Sequence, residues 1–138
     1  MNPISSAPSK PRRIAAYSLT GLVAAFLLLD GAMKLLQPQA VVEATTLQLG
    51  YPQHSIAGIG MVLIASTLAY LLPRTSWLGA VLLTAYLGGA IASHVRIQSP
   101  LFSHVLFPLY VALAVWGGLA LRDERVLGVF GLRSGGRR

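Results

Sequence analysis

Trp77-Leu-Gly-Ala-Val-Leu-Leu-Thr-Ala-Tyr-Leu-Gly-Gly-Ala-Ile-Ala-Ser-His94-Val-Arg96 runs for about 17 residues without a charge before it reaches a histidine and an arginine. That length lies within the roughly 17–25 residues that a membrane-crossing helix needs at 1.5 Å per residue. Gly79, Ala80, Ala85, Gly88, Gly89, Ala90, Ala92 and Ser93 make it dense in small residues. Small side chains let helix backbones approach closely in lipid, where packing rather than water exclusion drives association. The stretch therefore reads as a membrane helix packed centrally among others, bringing His94 and Arg96 to one rim. Groups of that kind are costly at membrane depth unless partnered.

Composition agrees. Charged residues make up 11% of the 138-residue chain, against about 25% in a soluble domain, and the mean hydropathy is +0.65. The net charge of +7 does not point to nucleic acid. Its basic residues flank apolar runs instead of alternating with stacking aromatics on a polar face. The chain has no cysteine, which excludes a dithiol site, a thiolate-held zinc and a self-ligated iron–sulfur cluster.

Three more apolar runs lie on either side. Lys10, Arg12 and Arg13 precede Ile14–Met33; this run exceeds a signal-peptide core and does not close on an Ala-x-Ala-like site, which predicts a retained first span. The second span is expected at about Ser55–Leu72, ended by Pro73, with Thr75 or Ser76 capping the next helix. The fourth is expected at about Leu101–Leu121, interrupted by Pro108. Between the first two, Pro38 and Gly50 bracket Val42, Thr45/Thr46 and Leu49 at helical spacing, predicting a short interfacial helix. The expected fold is all-α: a transmembrane four-helix antiparallel bundle. Residues 1–13 would be a disordered cytoplasmic N-terminus, 14–121 the membrane domain and 122–138 a basic, fraying cytoplasmic tail.

Four spans put both termini on one side. Lys10, Arg12, Arg13, Arg74, Arg122, Arg125, Arg133, Arg137 and Arg138 then share that side, and only Lys34 and Arg96 fall on the other. The positive-inside bias makes the first side cytoplasmic. Tyr17, Tyr70, Trp77 and Trp116 fall near the same boundary, where amphipathic rings prefer to sit.

This orientation gathers the remaining polar groups at the outer rim. The candidate pocket comprises Asp30, Lys34, Tyr86, His94, Arg96 and His104, with Glu43 and His54 nearby. Asp30 and Lys34 are four residues apart and share a helix face. Two readings stand: a neutralising pair with Lys34 snorkelling, or Asp30 reaching His94 or Arg96 across helices. His94 and Arg96 point about 200° apart on a helix, so only one faces inward; His94 is the better placed. It is a hydrogen-bonded helix-end histidine, a proton relay, a quinone-carbonyl partner or, with His104, a metal or haem ligand. Pro108 lacks an N–H and frees the His104 carbonyl. Tyr86, a mid-span phenol, needs a partner or a polar cavity. The rows Ala85-xxx-Gly89-xxx-Ser93 and Gly88-xxx-Ala92, with Gly21-xxx-Ala25 to match, read as close helix packing.

Asp30-Gly-x-x-Lys34-Leu, Leu49-Gly-Tyr-Pro52, Tyr86-Leu-Gly-Gly-Ala and His94-x-Arg96 together resemble the DoxX-like family of small bacterial four-helix membrane proteins. The resemblance extends over about Arg13–Asp123. It implies a multi-pass protein of the bacterial inner membrane. The founding DoxX name belongs to a subunit of a thiosulfate:quinone oxidoreductase, and other relatives are tied to redox or oxidative-stress membrane complexes. The expectation is an accessory subunit without independent catalysis, working beside a membrane redox partner, with a quinone as its one candidate cofactor and no metal. Family members that act through cysteines offer no guide to this chain. The alternatives are a small-solute transporter or exporter component, acting as a homodimer through its small-residue faces, and a structural scaffold.

Overall fold

The computed structural model describes residues 9–129, which form helices and connections without a strand. Helix α1 spans Lys10–Leu36, and α2 spans Gln39–Glu43 and continues into a π turn over Ala44–Gln48. Helices α3 (Ser55–Leu71), α4 (Ser76–Arg96), α5 (Phe107–Arg122) and α6 (Glu124–Val129) follow, with a second π turn at Leu101–Val105. The expected disorder of residues 1–8 and the fraying of residues 130–138 lie outside the described residues. Helix α1 starts at Lys10, so the basic cluster occupies its first turn instead of preceding it.

Three segments are long and apolar enough to cross a membrane: Lys10–Leu36, Ser76–Arg96 and Leu101–Arg122. Helix α3 is apolar but only 17 residues long. Their surfaces are those of lipid-facing rods. Only 28% of the most apolar stretch of α1, 28% of that of α4 and 33% of that of the third segment are buried within the chain. Leu22, Leu29 and Leu113 are 71%, 64% and 64% exposed. Outward leucines in such numbers require a lipid surround.

Helix α1 packs on α3 and α5, and α4 packs on the same two. Leu27, Leu63, Leu83, Val115 and Leu119 fill the space between them. The central position expected for α4 is not found, since it is no more buried than α1. The close approaches also fall elsewhere than expected. Gly21, Gly88 and Gly89 have no atom within 4 Å of where a Cβ would stand, so no helix packs against the glycines of those rows. The tight contacts are Gly31 against Gly60, where a Cβ on Gly60 would lie 2.9 Å from the Gly31 carbonyl oxygen, and Gly79 against the Ala69–Tyr70 backbone. Periodicity finds small residues, but which of them meet a neighbour depends on helix crossing points that one chain's spacing does not encode.

Local signals fare better. Helix α1 ends at Gln37, left-handed at φ 48°, whose N–H donates to the Met33 carbonyl just before Pro38. Gly50 takes the left-handed conformation (φ 73°) after the first π turn, as a stop there requires. Neither Thr75 nor Ser76 caps α4 through its side chain; the Thr75 hydroxyl instead donates to the Ala69 carbonyl at the end of α3 (2.8 Å). The interruption expected at Pro108 takes the form of the second π turn, where the Val105 and Leu106 N–H groups donate five residues back, to Pro100 and Leu101.

At the end of the molecule that holds the α3–α4 turn, Trp77 and Trp116 pack edge to face at 5.6 Å. Tyr70, expected as a boundary ring, is fully buried. Its hydroxyl donates to the Val115 carbonyl (2.9 Å), and the Arg122 guanidinium lies 4.8 Å from its ring centre.

Candidate functional site

The opposite end of the molecule holds a cavity of about 640 Å³, within the roughly 300–1,000 Å³ range of small-molecule sites. Its floor is Asp30 and Lys34 at the end of α1. Its walls are Tyr86, Ser93 and His94 from α4, and His104 and Pro108 from the second π turn and α5. Its cover is the inner face of α2 and the first π turn, from Ala40 to Leu49, with Tyr51 beyond.

Lys34 donates to both carboxylate oxygens of Asp30 at 2.6 Å. The pair realises the neutralising reading, and Asp30 does not bond His94 or Arg96. The intervening Gly31 explains the local spelling. A Cβ there would stand 2.6 Å from Ile64 Cγ1, and one on Gly60 would stand 2.8 Å from Lys34 Cβ. Two glycines therefore let α3 close against α1, and the Lys34 stem runs along that seam.

His94 and His104 come together with ring centres 5.6 Å apart at 64°. Each has one ring nitrogen held by a serine: His94 Nδ1 by Ser99 (3.1 Å) and His104 Nδ1 by Ser103 (2.8 Å). Nε2 of each ring has no protein partner among the described residues, which leaves it for a ligand in either tautomer. Among the described residues, no three His, Cys, Asp or Glu gather as a metal site.

Arg96 does not join the cavity wall. It turns outward and donates to the Leu49 carbonyl beside Gly50. On the same connection, Tyr51 bonds Ser93 at 2.7 Å, and Ser93 donates to the Gly89 carbonyl at 2.8 Å, so the shared hydrogen comes from Tyr51. These two contacts fasten the cover to α4. Glu43, which accepts a hydrogen bond from Gln39, and His54 are exposed and lie outside the wall.

Tyr51, Ser93, Ser99 and Ser103 were missed as site residues. Ser93 sits in a small-residue row that reads as packing. Tyr51 sits in a loop whose path is set by the Gly50 turn. The signal for Tyr51 lay in Leu49-Gly-Tyr-Pro52, a phenol placed directly after a left-handed glycine.

The lining is mixed: polar groups come from the floor (Asp30, Lys34), the cover (Thr45, Gln48, Tyr51) and the walls (Tyr86, Ser93, His94, His104), and apolar side chains, including Phe26, Leu27, Ile59 and Val111, make up much of the rest. Phe26 and Phe107 meet edge to face at 5.6 Å and are each close to half exposed. They form an aromatic lateral wall between the cavity and the lipid-facing surface.

The DoxX-like family model matches residues 18–118, from the third turn of α1 to the last turns of α5. The chain belongs to the DoxX-like family. That family region includes every residue of the cavity wall and its cover, and leaves out the basic first turn of α1 and all of α6. No curated protein and no solved structure matches the chain.

Proposed function

We propose that this DoxX-like membrane protein binds a quinone-type ligand in the cavity described above and serves as a non-catalytic accessory subunit of a quinone-linked redox complex. The observation that carries the reading is the meeting of the His94 and His104 rings, each with its Nδ1 held by a serine, in a cavity also lined by the Phe26–Phe107 aromatic pair and by Leu27, Ile59 and Val111. A quinone has the matching chemistry, with carbonyl acceptors for the imidazoles on a ring attached to an apolar tail. His94, His104, Tyr86 and Lys34 are the donors that would hold its oxygens, and Phe26, Phe107 and Val111 would flank ring and tail. The quinone would supply electron-accepting chemistry to a partner subunit, while this chain binds and orients it. Transport is less well supported. A carrier needs polar groups along a path through the midplane, whereas Thr67 and Thr84 donate to their own helix carbonyls.

Wild-type protein purified in mild detergent is expected to retain quinone, measured by extraction and mass spectrometry. His94→Ala/His104→Ala should lower that retention about thirtyfold, since two hydrogen bonds at about 1 kcal/mol each contribute about 2 kcal/mol. Wild type that neither retains nor binds added quinone overturns the reading.

In the proposed topology, four spans form an antiparallel bundle in the bacterial inner membrane with both termini cytoplasmic and the cavity in the outer leaflet. Helix α3, at 17 residues, sits at the short limit for a crossing helix, and the charge asymmetry supports the orientation. The chain lacks cysteine, so Glu43→Cys and Gln98→Cys can be labelled singly without further changes. Both are expected to react with a membrane-impermeant maleimide from the periplasmic side. Reaction from the cytosol alone would invert the arrangement.

A further inference from the structure

The basic first turn of α1 divides into two. Arg12 turns toward the neighbouring helix and donates to the Ala120 carbonyl at 3.4 Å. Lys10 and Arg13 instead share a groove of about 470 Å³ with Ile14, Tyr17 and Ser18 on one flank of the same helix. Neither cation has a carboxylate partner among the described residues. Ile14 and Tyr17 are 67% and 63% exposed, so the groove opens away from α3 and α5.

We propose that this groove is a binding site for the headgroup of an anionic phospholipid. Three observations converge on that occupant. Two unpaired cations face outward where a phosphate would lie, and the two hydroxyls of Tyr17 and Ser18 lie one to two turns deeper. From Lys10 to Tyr17 the helix rises about 10 Å, enough to pass through the roughly 5–8 Å headgroup layer on one side of a bilayer and reach the top of the acyl region. The surface beyond is open and apolar: Gly21 has no atom within 4 Å of a Cβ position, and Leu22 is 71% exposed. A phosphate at the top, polar ester groups at the level of the hydroxyls and acyl chains along the bare stripe follow the chemistry of the groove in order. A soluble anion would use only its first part.

The test uses the full chain in nanodiscs of equal phosphatidylglycerol and phosphatidylcholine, with the lipid retained after release read by native mass spectrometry. Wild type is expected to keep phosphatidylglycerol in preference. Lys10→Gln/Arg13→Gln should reduce that preference about thirtyfold, at about 1 kcal/mol for each of the two cations near the surface. Arg74→Gln/Arg125→Gln removes the same charge at exposed positions elsewhere and should leave the preference intact. Equal retention of both lipids by wild type, or equal loss in the two double variants, would overturn the site.

Discussion

Asp30→Ala is expected to lower stability by about 2 kcal/mol and to abolish retention of the cavity ligand. The carboxylate accepts both of its short bonds from one ammonium. The Lys34 side chain is 17% exposed and that of Asp30 is 39% exposed. The pair therefore lies between an exposed ion pair, at about 0–1 kcal/mol, and a buried one, whose breakage costs about 3–5 kcal/mol. The two partners are not equivalent. Without Asp30, the Lys34 ammonium stays enclosed, because its stem is held in the α1–α3 seam against Gly60. Without Lys34, the more exposed carboxylate can hydrate. Lys34→Met should therefore cost less than Asp30→Ala, and Asp30→Asn/Lys34→Met should recover most of the lost stability. Melting in detergent, followed by tryptophan fluorescence, reads all three. If the double variant melts as low as Asp30→Ala, the carboxylate does more than neutralise a neighbour. Ligand retention by a stable double variant then separates the two roles: recovered binding means that the pair only shapes the cavity, and lost binding means that the charges contact the ligand.

The same pair shows what was legible in the chain. Asp30 and Lys34 lie on one face because 3.6 residues make a turn, and no tertiary knowledge is needed to see it. The apolar runs, the stop at Gly50 and the break at Pro108 are readable for the same reason, since each is a local property of one or two residues. His94 and His104 were expected at the same rim from hairpin topology alone, and the rings do meet. What could not be read is what depends on helix rotation and loop path. Arg96 was a candidate for the wall although its position two residues from His94 already set it on the other side of the helix; what its spacing does not give is its partner, a carbonyl that only the fold of the Leu49–Pro52 loop delivers. The Tyr51–Ser93 bond joins a loop to a helix 42 residues away, and no spacing rule reaches that far. The small-residue rows failed for a related reason. A glycine matters for packing only where another backbone crosses it, and the crossings fall at Gly31, Gly60 and Gly79.

Gly79 carries the second large effect. A Cβ at this position would stand 2.6 Å from the Ala69 carbonyl carbon and closer still to Tyr70 N and Cα. All of these are backbone atoms near the end of α3, so no side chain can swing aside. Gly79→Ala must push α4 away from α3 at the base of their hairpin. Overpacking of this kind costs about 3 kcal/mol at the upper end of its usual range, offset by about 1 kcal/mol because alanine favours helix over glycine. A net loss of about 2 kcal/mol is expected in the melting of the full chain. Gly88→Ala, on the same helix with open space around it, keeps only the favourable part and should melt no lower than wild type. The consequence also reaches the cavity. From Gly79 to His94, α4 rises about 22 Å, so a tilt of about 5° at its base moves the imidazole by about 2 Å. That displacement exceeds the roughly 0.5 Å tolerance of a preorganised site. Gly79→Ala should therefore weaken ligand retention although it lies at the far end of the helix from every residue of the wall. Gly79→Ala protein that melts lower yet holds its ligand as wild type does would mean that α4 bends instead of tilting, and that the Tyr51 and Arg96 contacts alone fix the position of His94.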